Sequence, residues 1–497
     1  MEAEKPQSSP PVVQSQDTQG EAPAYCAFSE RDKRGTIFIA SMIAFLAPIS
    51  GSIYYPALIP LSQSLHVSKN TINLTITVYM VSPASAFGFA PLLTASYSDH
   101  HGRRPVFLVC LVVYIGVNVG LCLQNNIAAL FVLRCLQSVG SSGVSIVATA
   151  TIADMVTRAE RAKYMVYSSM GYTLGPAIGP VLGGLLTQFL GWRSIFIFLT
   201  IVAAVLVIVC LAFLPETCRA VVGNGSVVAS PWNRSGLQWL RLLSPSYDRP
   251  MEDRQTLLKL RRRPSLWDSI LLVRHKPTAI LVFASTMISC GFIAVLTSIP
   301  FLFQARYNFN ALEIGLCYLP YAVGGLASRW TFGTLSTRNF KRCAREAGVT
   351  LVKNKQSPEQ LRKIPLEKAR LQLTLPLLCI SVALVIVYGW LLQAQVHVAG
   401  PLVLLFFLGN AVTGMRNSLN ALVVDLNAQR PATASASLNF FRSILGAGVA
   451  AAVVPMIDAI GIGWTSTVVG GVWLVVSPVL CVVYRYGRAW RVDGDML

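Results

Sequence analysis

The chain has 497 residues, of which 54% are hydrophobic and only 13% charged, whereas soluble domains carry about a quarter charged residues. Lys and Arg outnumber Asp and Glu by 41 to 22, but the basic residues crowd the segments between apolar runs. That distribution argues against a nucleic-acid partner and fits the positive-inside rule of membrane proteins.

Residues 1–35, rich in Pro, Ser and Gln, read as a disordered cytosolic tail. No short apolar leader with a cleavage site precedes the first span, so that span is expected to target the chain to the membrane. Taking about 20 apolar residues per crossing, spans fall near 36–61, 72–96, 105–123, 127–152, 164–189 and 192–213. Six more fall near 277–303, 314–335, 374–394, 399–424, 433–459 and 463–484. The reading is an all-α membrane protein of twelve transmembrane helices. Residues 36–213 form an N-terminal six-helix bundle, 214–276 a cytosolic central loop, 277–484 a C-terminal six-helix bundle and 485–497 a cytosolic tail. Arg31, Lys33 and Arg34 precede span 1, Arg103 and Arg104 follow span 2, and Arg158, Arg161 and Lys163 follow span 4. The opposite loops hold only Lys69, Arg193 and Arg306, so both termini are expected in the cytosol. Within the central loop, "GLQWLRLL" (236–243) and "LWDSILLVRH" (266–275) are amphipathic. They fit either surface-lying helices or ordinary linker.

Three motifs carry the functional reading. "YSDHHGRRPV" (97–106) places Asp99, Gly102, Arg103 and Arg104 in a very short cytosolic loop. An acid–arginine pair there can hold the cytosolic side shut in one state and break in the other; the plainer alternative is that the two arginines only anchor topology. "VLRCLQSVGSSGVS" (132–145) sets Arg134, Gln137, Ser138, Ser141 and Ser145 on one stripe of span 4. A charge at that depth normally faces a bundle interior or a water-filled cavity; its structural alternative is to bond carbonyls and hold two helices together. "GYTLGPAIGPVLGG" (171–184) repeats Gly171, Gly175, Gly179 and Gly183 at every fourth position, with Pro176 and Pro180 between them. Lipid offers the backbone no competing partner, so the breakers are tolerable, and the glycines give one smooth face for a close helix neighbour.

In this order and spacing the motifs resemble those of major facilitator superfamily transporters, specifically the 12-spanner drug:proton antiporter group. "IYYPAL" (53–58), "LPETCRAVVGNGS" (214–226), "IPLEKARL" (364–371) and "ASASLNFFRSILGA" (434–447) resemble the fungal branch, and the likeness covers roughly residues 30–485. It implies two bundles rocking about a central site, with span 8 as the partner of the glycine face. The chain departs from the pattern at Ala95, where Gly is usual, at His100, where a basic residue is usual, and at Thr337 of the second-half copy "GTLSTRNFKR" (333–342), where an acid is expected. A symmetric charge lock is therefore not expected, and more of the load should fall on Asp99.

No Asp or Glu sits near the middle of any span. The buried charges are positive: Arg134, Arg416 and Arg442. Asn410, Thr413, Asn417 and Asn420 share about a quarter of the helical circle on span 10, and Asn439 lies three residues before Arg442 on span 11. Amide-rich faces with arginines suit carboxylate recognition, since Arg pairs with carboxylates bidentately; the alternative for Arg416 is snorkelling to the interface. No Walker-type GxxxxGK[ST] is present, and the eleven cysteines make no CxxC or Cys/His ligand spacing, so no ATP, metal or other cofactor is expected. The leading expectation is a monomeric secondary active exporter of an organic acid, secondary metabolite or drug across the fungal plasma membrane, coupled to protons, with carboxylates such as citrate or a pathway product favoured. A multidrug:proton antiporter is the alternative, and a non-transporting nutrient sensor a remote one. Catalysis is not expected, because the five histidines lie in loops or at span ends and no nucleophile–base pairing can be read.

Overall fold

The computed structural model describes residues 26, 28–82, 94, 97–156, 158–225, 227, 229–242, 276–348, 365–427 and 431–494. The N-terminal tail to residue 25, the amphipathic stretch 266–275 and the side chains of Arg158, Arg161 and Lys163 lie outside this description. The described residues form helices joined by turns, without a strand among them.

The long helices are α1 (Glu30–Ser52), α2 (Lys69–Val81), α3 (Arg103–Leu123), α4 (Ile127–Met155), α5 (Arg158–Leu190) and α6 (Arg193–Phe213). They continue as α7 (Lys276–Tyr307), α8 (Tyr318–Glu346), α9 (Leu366–Gln393), α10 (Ala399–Leu426), α11 (Pro431–Ile460) and α12 (Ile462–Gly494). Ten of the described helical stretches are long and apolar enough to cross a membrane; α5 contributes a shorter apolar helix, Leu174–Leu190, and α2 is described over 13 residues. The protein is a multi-pass, all-α membrane protein of two six-helix bundles.

Local chemistry sets the helix starts. Ser29 Oγ accepts from Asp32 N at 3.2 Å, Ser68 Oγ from Thr71 N at 3.1 Å and Asn126 Oδ1 from Ala128 N at 2.8 Å. Asn310 and Glu313 form a capping box before the short helix Ala311–Leu316. Each of these side chains satisfies a backbone N–H that the first turn leaves without an intrahelical partner. Because Ser29 caps at that point, Glu30–Arg34 belong to α1 and not to the preceding tail. At the other end of the chain, α12 continues through residues 485–494, and α8 continues to Glu346 through the "GTLSTRNFKR" segment. These are polar extensions of apolar helices, and nothing in them stops the intrahelical hydrogen-bond ladder.

The two bundles repeat one packing scheme. In the first, α1 packs on α5, α3 on α6 and α4 on α3; in the second, α7 packs on α11, α9 on α12 and α10 on α9. Between bundles, α2 meets α11, and α5 meets both α8 and the helix Ala311–Leu316. The outer surface is apolar, with Ile197, Ile201, Val205 and Ile208 forming an exposed stripe on α6 at three- and four-residue steps. Polar groups such as Asn73, Asn118, Arg134 and Gln137 are buried. The hairpins joining α3 to α4, α5 to α6 and α11 to α12 share one face, called here the far face. The opposite one, carrying residues 97–102 and 214–242, is the terminal face. Several contacts that join the bundles lie toward the far face. The Tyr55 ring stacks on Tyr318 at 5.7 Å, Asn73 Nδ2 donates to the Ala450 carbonyl, and Gly315 abuts the Pro180 carbonyl.

Candidate transport site and its gate

On the terminal face the loop motif condenses around the start of α3. Gly102 takes φ +113°, a left-handed value that favours glycine, and a Cβ there would fall on the Glu216 carboxylate. Glu216, fully buried just past α6, accepts from four backbone N–H groups: Arg103 at 2.8 Å, Arg104 at 3.2 Å, Thr217 at 3.0 Å and Cys218 at 2.9 Å. A carboxylate at a helix N-terminus satisfies orphan donors and meets the positive end of the helix dipole. Burial pushes the Glu216 carboxyl up, and the four N–H groups work against that.

Arg103 gathers the acids. Its Nε donates to Asp154 Oδ2 at 2.9 Å, one Nη donates to Ser98 Oγ at 2.6 Å, and the same nitrogen pairs with Asp99. Arg104 turns to carbonyls instead: Cys210 at 3.4 Å, Leu211 at 3.1 Å and Trp232 at 3.0 Å. Both arginines are buried, which is not the geometry of exposed topology anchors. Among the described residues the partners of Arg103 and Arg104 all lie in the first bundle or the segment after it. The cluster therefore ties residues 97–102, α3, the end of α4, the end of α6 and the start of the central loop into one unit.

The second bundle holds a reduced copy. Arg370 on α9 donates to Ser336 Oγ at 3.3 Å and to Asp425 Oδ2 at 3.2 Å. Arg103 and Arg370, and Asp154 and Asp425, thus occupy matching helices of the two halves, and Ser98 and Ser336 stand in the helical segments that precede those arginines' helices. Thr337 stands where Asp99 does, and its hydroxyl only donates back to the Gly333 carbonyl at 2.8 Å. Sequence reasoning noticed the missing acid. It did not find Arg370, whose signal was the repeated serine one residue before the Asp99/Thr337 position. Nor did it find Glu216, whose partners are backbone N–H groups, two of them more than a hundred residues away in sequence.

The glycine face of α5 corrects an expectation. Gly171, Gly175, Gly179 and Gly183 pack on α1 of their own bundle, not on α8. A Cβ on Gly171 would lie 3.1 Å from Phe45 Cα, one on Gly175 2.7 Å from Pro48 Cβ, and one on Gly179 3.0 Å from Ile53 N. At Gly183 it would fall on the Ile53 carbonyl oxygen. Ser52 Oγ donates to the Gly175 carbonyl at 2.7 Å and locks the contact. The other bundle is met one residue further round the helix, where the Pro180 carbonyl abuts Gly315 and Gly184 abuts Ala311. A strict four-residue step keeps the glycines on one face, and that face is used up within the bundle. Pro176 is half-buried and Pro180 buried.

Deeper in the membrane, Arg134 is 1% exposed. Its guanidinium lies 4.0 Å from the Tyr54 ring centroid and 4.4 Å from that of Tyr79, a cation–π sandwich. One Nη donates to Gln137 Oε1 at 2.7 Å, Gln137 donates to Asn118 Oδ1 at 2.7 Å, and Asn118 donates to the Tyr114 carbonyl at 2.7 Å. In the second bundle the Arg416 guanidinium lies 4.8 Å from the Phe292 ring centroid, and that ring stacks on Tyr321 at 5.2 Å. Arg416 therefore points into its bundle and does not snorkel. Arg442 donates to Asn420 Oδ1 at 3.2 Å, and Thr331 of α8 donates to Asn410 Oδ1 at 3.2 Å. The amide face of α10 is thus divided between α8 and α11, while Asn417 and Asn439 are exposed. Among the described residues no carboxylate lies within ion-pair distance of Arg134 or Arg416. Nε of both arginines is buried without a hydrogen-bond partner.

Comparison with known proteins agrees with this architecture. The bacterial homologue of the human lysosomal transporter Spinster, solved inward-facing and unoccupied, superposes with a TM-score of 0.62 at 13% identity, over 92% of this chain and 98% of that one. MFS-type transporter R5 of Phoma sp. is 41% identical over 471 residues, covering 95% of this chain and 88% of that protein. Citrate exporter 1 of Aspergillus niger is 33% identical over 494 residues, covering 97% and 91%. These relatives are named as transporters and not as enzymes. Residues 40–451 match the family model described as Major Facilitator Superfamily, and with the two-bundle fold and the motif geometry above, the chain belongs to that superfamily of membrane transporters, which carry small molecules across the bilayer.

Proposed function

We propose that this transporter exports a small carboxylate or other anionic metabolite, such as citrate or a pathway product, across the fungal plasma membrane. It works as a monomer, with both termini in the cytosol and with coupling to the proton gradient. The observation that carries the reading is the pair of membrane-depth guanidiniums, buried Arg134 and half-buried Arg416, each with a buried Nε that lacks a partner and, among the described residues, neither facing a carboxylate. A buried cation with an unused donor is costly, and an anionic substrate would satisfy both its charge and its N–H groups. The likeness to a citrate exporter supports the same substrate class. Alternating access moves the two bundles about this region, with each terminal-face cluster bracing its own bundle as it moves. A weak-acid substrate supplies its own titratable group, which suits a chain with no acid near the middle of its spans.

The test is efflux of labelled citrate and other carboxylates from loaded cells carrying Arg416→Gln or Arg442→Gln. Loss of a charge-assisted contact should weaken apparent affinity at least about tenfold, with Arg416→Lys intermediate because it keeps charge without the bidentate fork. Unchanged carboxylate efflux in both Gln variants removes the proposal. If efflux of lipophilic cations falls instead, the multidrug reading takes its place.

A further inference from the structure

Residues 231–242 of the central loop are held against the terminal-face end of α6. Pro231–Asn233 forms a 3₁₀ turn and Gly236–Leu242 a short helix. A Cβ on Gly236 would lie 3.5 Å from the Ala212 carbonyl oxygen, so this helix starts beside the last turn of α6. Arg104 fixes the level from below, donating both to the Trp232 carbonyl and to the Leu211 carbonyl. The adjoining surface is the lipid-facing belt: α6 has a mean hydropathy of 3.3 over its span, and its Leu211 and Phe213 are exposed. At this same level Trp232 is 89% exposed and Trp239 47% exposed. The Arg234 guanidinium lies 5.5 Å from the Trp239 ring centroid.

We infer that residues 231–242 form an interfacial anchor, which seats Trp232 and Trp239 in the headgroup layer of the terminal-face leaflet and draws anionic headgroups to Arg234. Tryptophan favours that layer because its ring is apolar and its N–H can stay hydrated. The surface stands beside the exposed Leu211 and Phe213 of α6. The loop is also basic in sequence, including Arg261, Arg262 and Arg263, and a basic segment is attracted to an anionic leaflet. The anchor would hold the loop where Arg104 grips it, so the membrane surface itself would steady the terminal-face cluster of the first bundle.

The test uses the full-length protein in phosphatidylcholine–phosphatidylglycerol vesicles, compared with Trp232→Phe, Trp239→Phe and the double variant. The chain has nine tryptophans, so the wild-type-minus-double-variant emission isolates these two. The expected difference spectrum is blue-shifted from that of a water-exposed tryptophan. It should be extinguished by lipids brominated near the carbonyl and less by lipids brominated at the chain ends. Water-like emission untouched by either lipid overturns the anchor. So does shielding seen in native membranes but absent in pure lipid, which would assign the surface to a protein partner. Quenching that is unchanged when phosphatidylglycerol is omitted overturns the role given to Arg234.

Discussion

Glu216 closes the N-terminus of α3 with a charge that comes from more than a hundred residues away, and its partners are backbone groups. That is why the sequence does not announce it: an acid after an apolar run looks like any polar loop residue. Asp99 was the visible acid, yet it is 44% exposed, whereas Asp154, which grips the same arginine, is 14% exposed. Exposed ion pairs contribute little and buried ones broken by removing one partner cost much more. Glu216→Gln should therefore cost about 1–3 kcal/mol, because it leaves buried N–H groups without a charged acceptor. Asp99→Asn should cost markedly less. Thermal unfolding of the two purified variants, alongside their transport rates, checks the order; equal losses would mean that burial does not rank the acids. Arg134 was legible, since a charge on a serine- and glutamine-bearing stripe of an apolar helix has few other readings. Its aromatic sandwich was not, because Tyr54 and Tyr79 come from elements distant in sequence.

The helices themselves were legible as apolar runs, and their ends were not. α1 begins early because Ser29 caps it, and α8 runs on because its polar extension keeps the ladder intact. The α5 glycine period showed that a close neighbour exists without showing which one, since a smooth face carries no address. The structure separates two roles on this helix that substitutions can tell apart. Leucine at Gly175 would enter the backbone of α1, at a cost of about 1–3 kcal/mol or more, so Gly175→Leu should lower both surface expression and transport. Leucine at Gly184 would collide with Ala311 across the bundle seam, a contact that alternating access must release. Gly184→Leu should therefore reach the surface normally and still transport poorly. Surface biotinylation with efflux distinguishes them, and matching profiles for the two variants would refute the division.

Across the whole molecule, one Ser–Arg–Asp constellation appears twice, as Ser98–Arg103–Asp154 and Ser336–Arg370–Asp425. The first is reinforced by Asp99, Glu216 and the start of the central loop; Thr337 leaves the second without the matching acid. The repeat was half-legible, because Arg370 stands 34 residues from Ser336 in sequence whereas Arg103 stands 5 from Ser98. Proton coupling belongs to this scale as well, since it concerns the full cycle and not one side chain. In proteoliposomes an imposed pH gradient should change the rate of citrate efflux, and complete insensitivity would count against any proton coupling.

Arg134 and Arg416 are staggered along their helices by about 15 Å of rise, and both sit inside the electric field of the bilayer. Each elementary charge carried through a 100 mV potential is worth about 2.3 kcal/mol. If the proposed carboxylate seats on one of these guanidiniums it cancels that charge, so the loaded carrier would present less net charge to the field than the empty one. With the terminal face in a negative cytosol, as proposed, voltage would act mainly on the unloaded stroke and pull the bare guanidiniums back toward the side where the next anion binds.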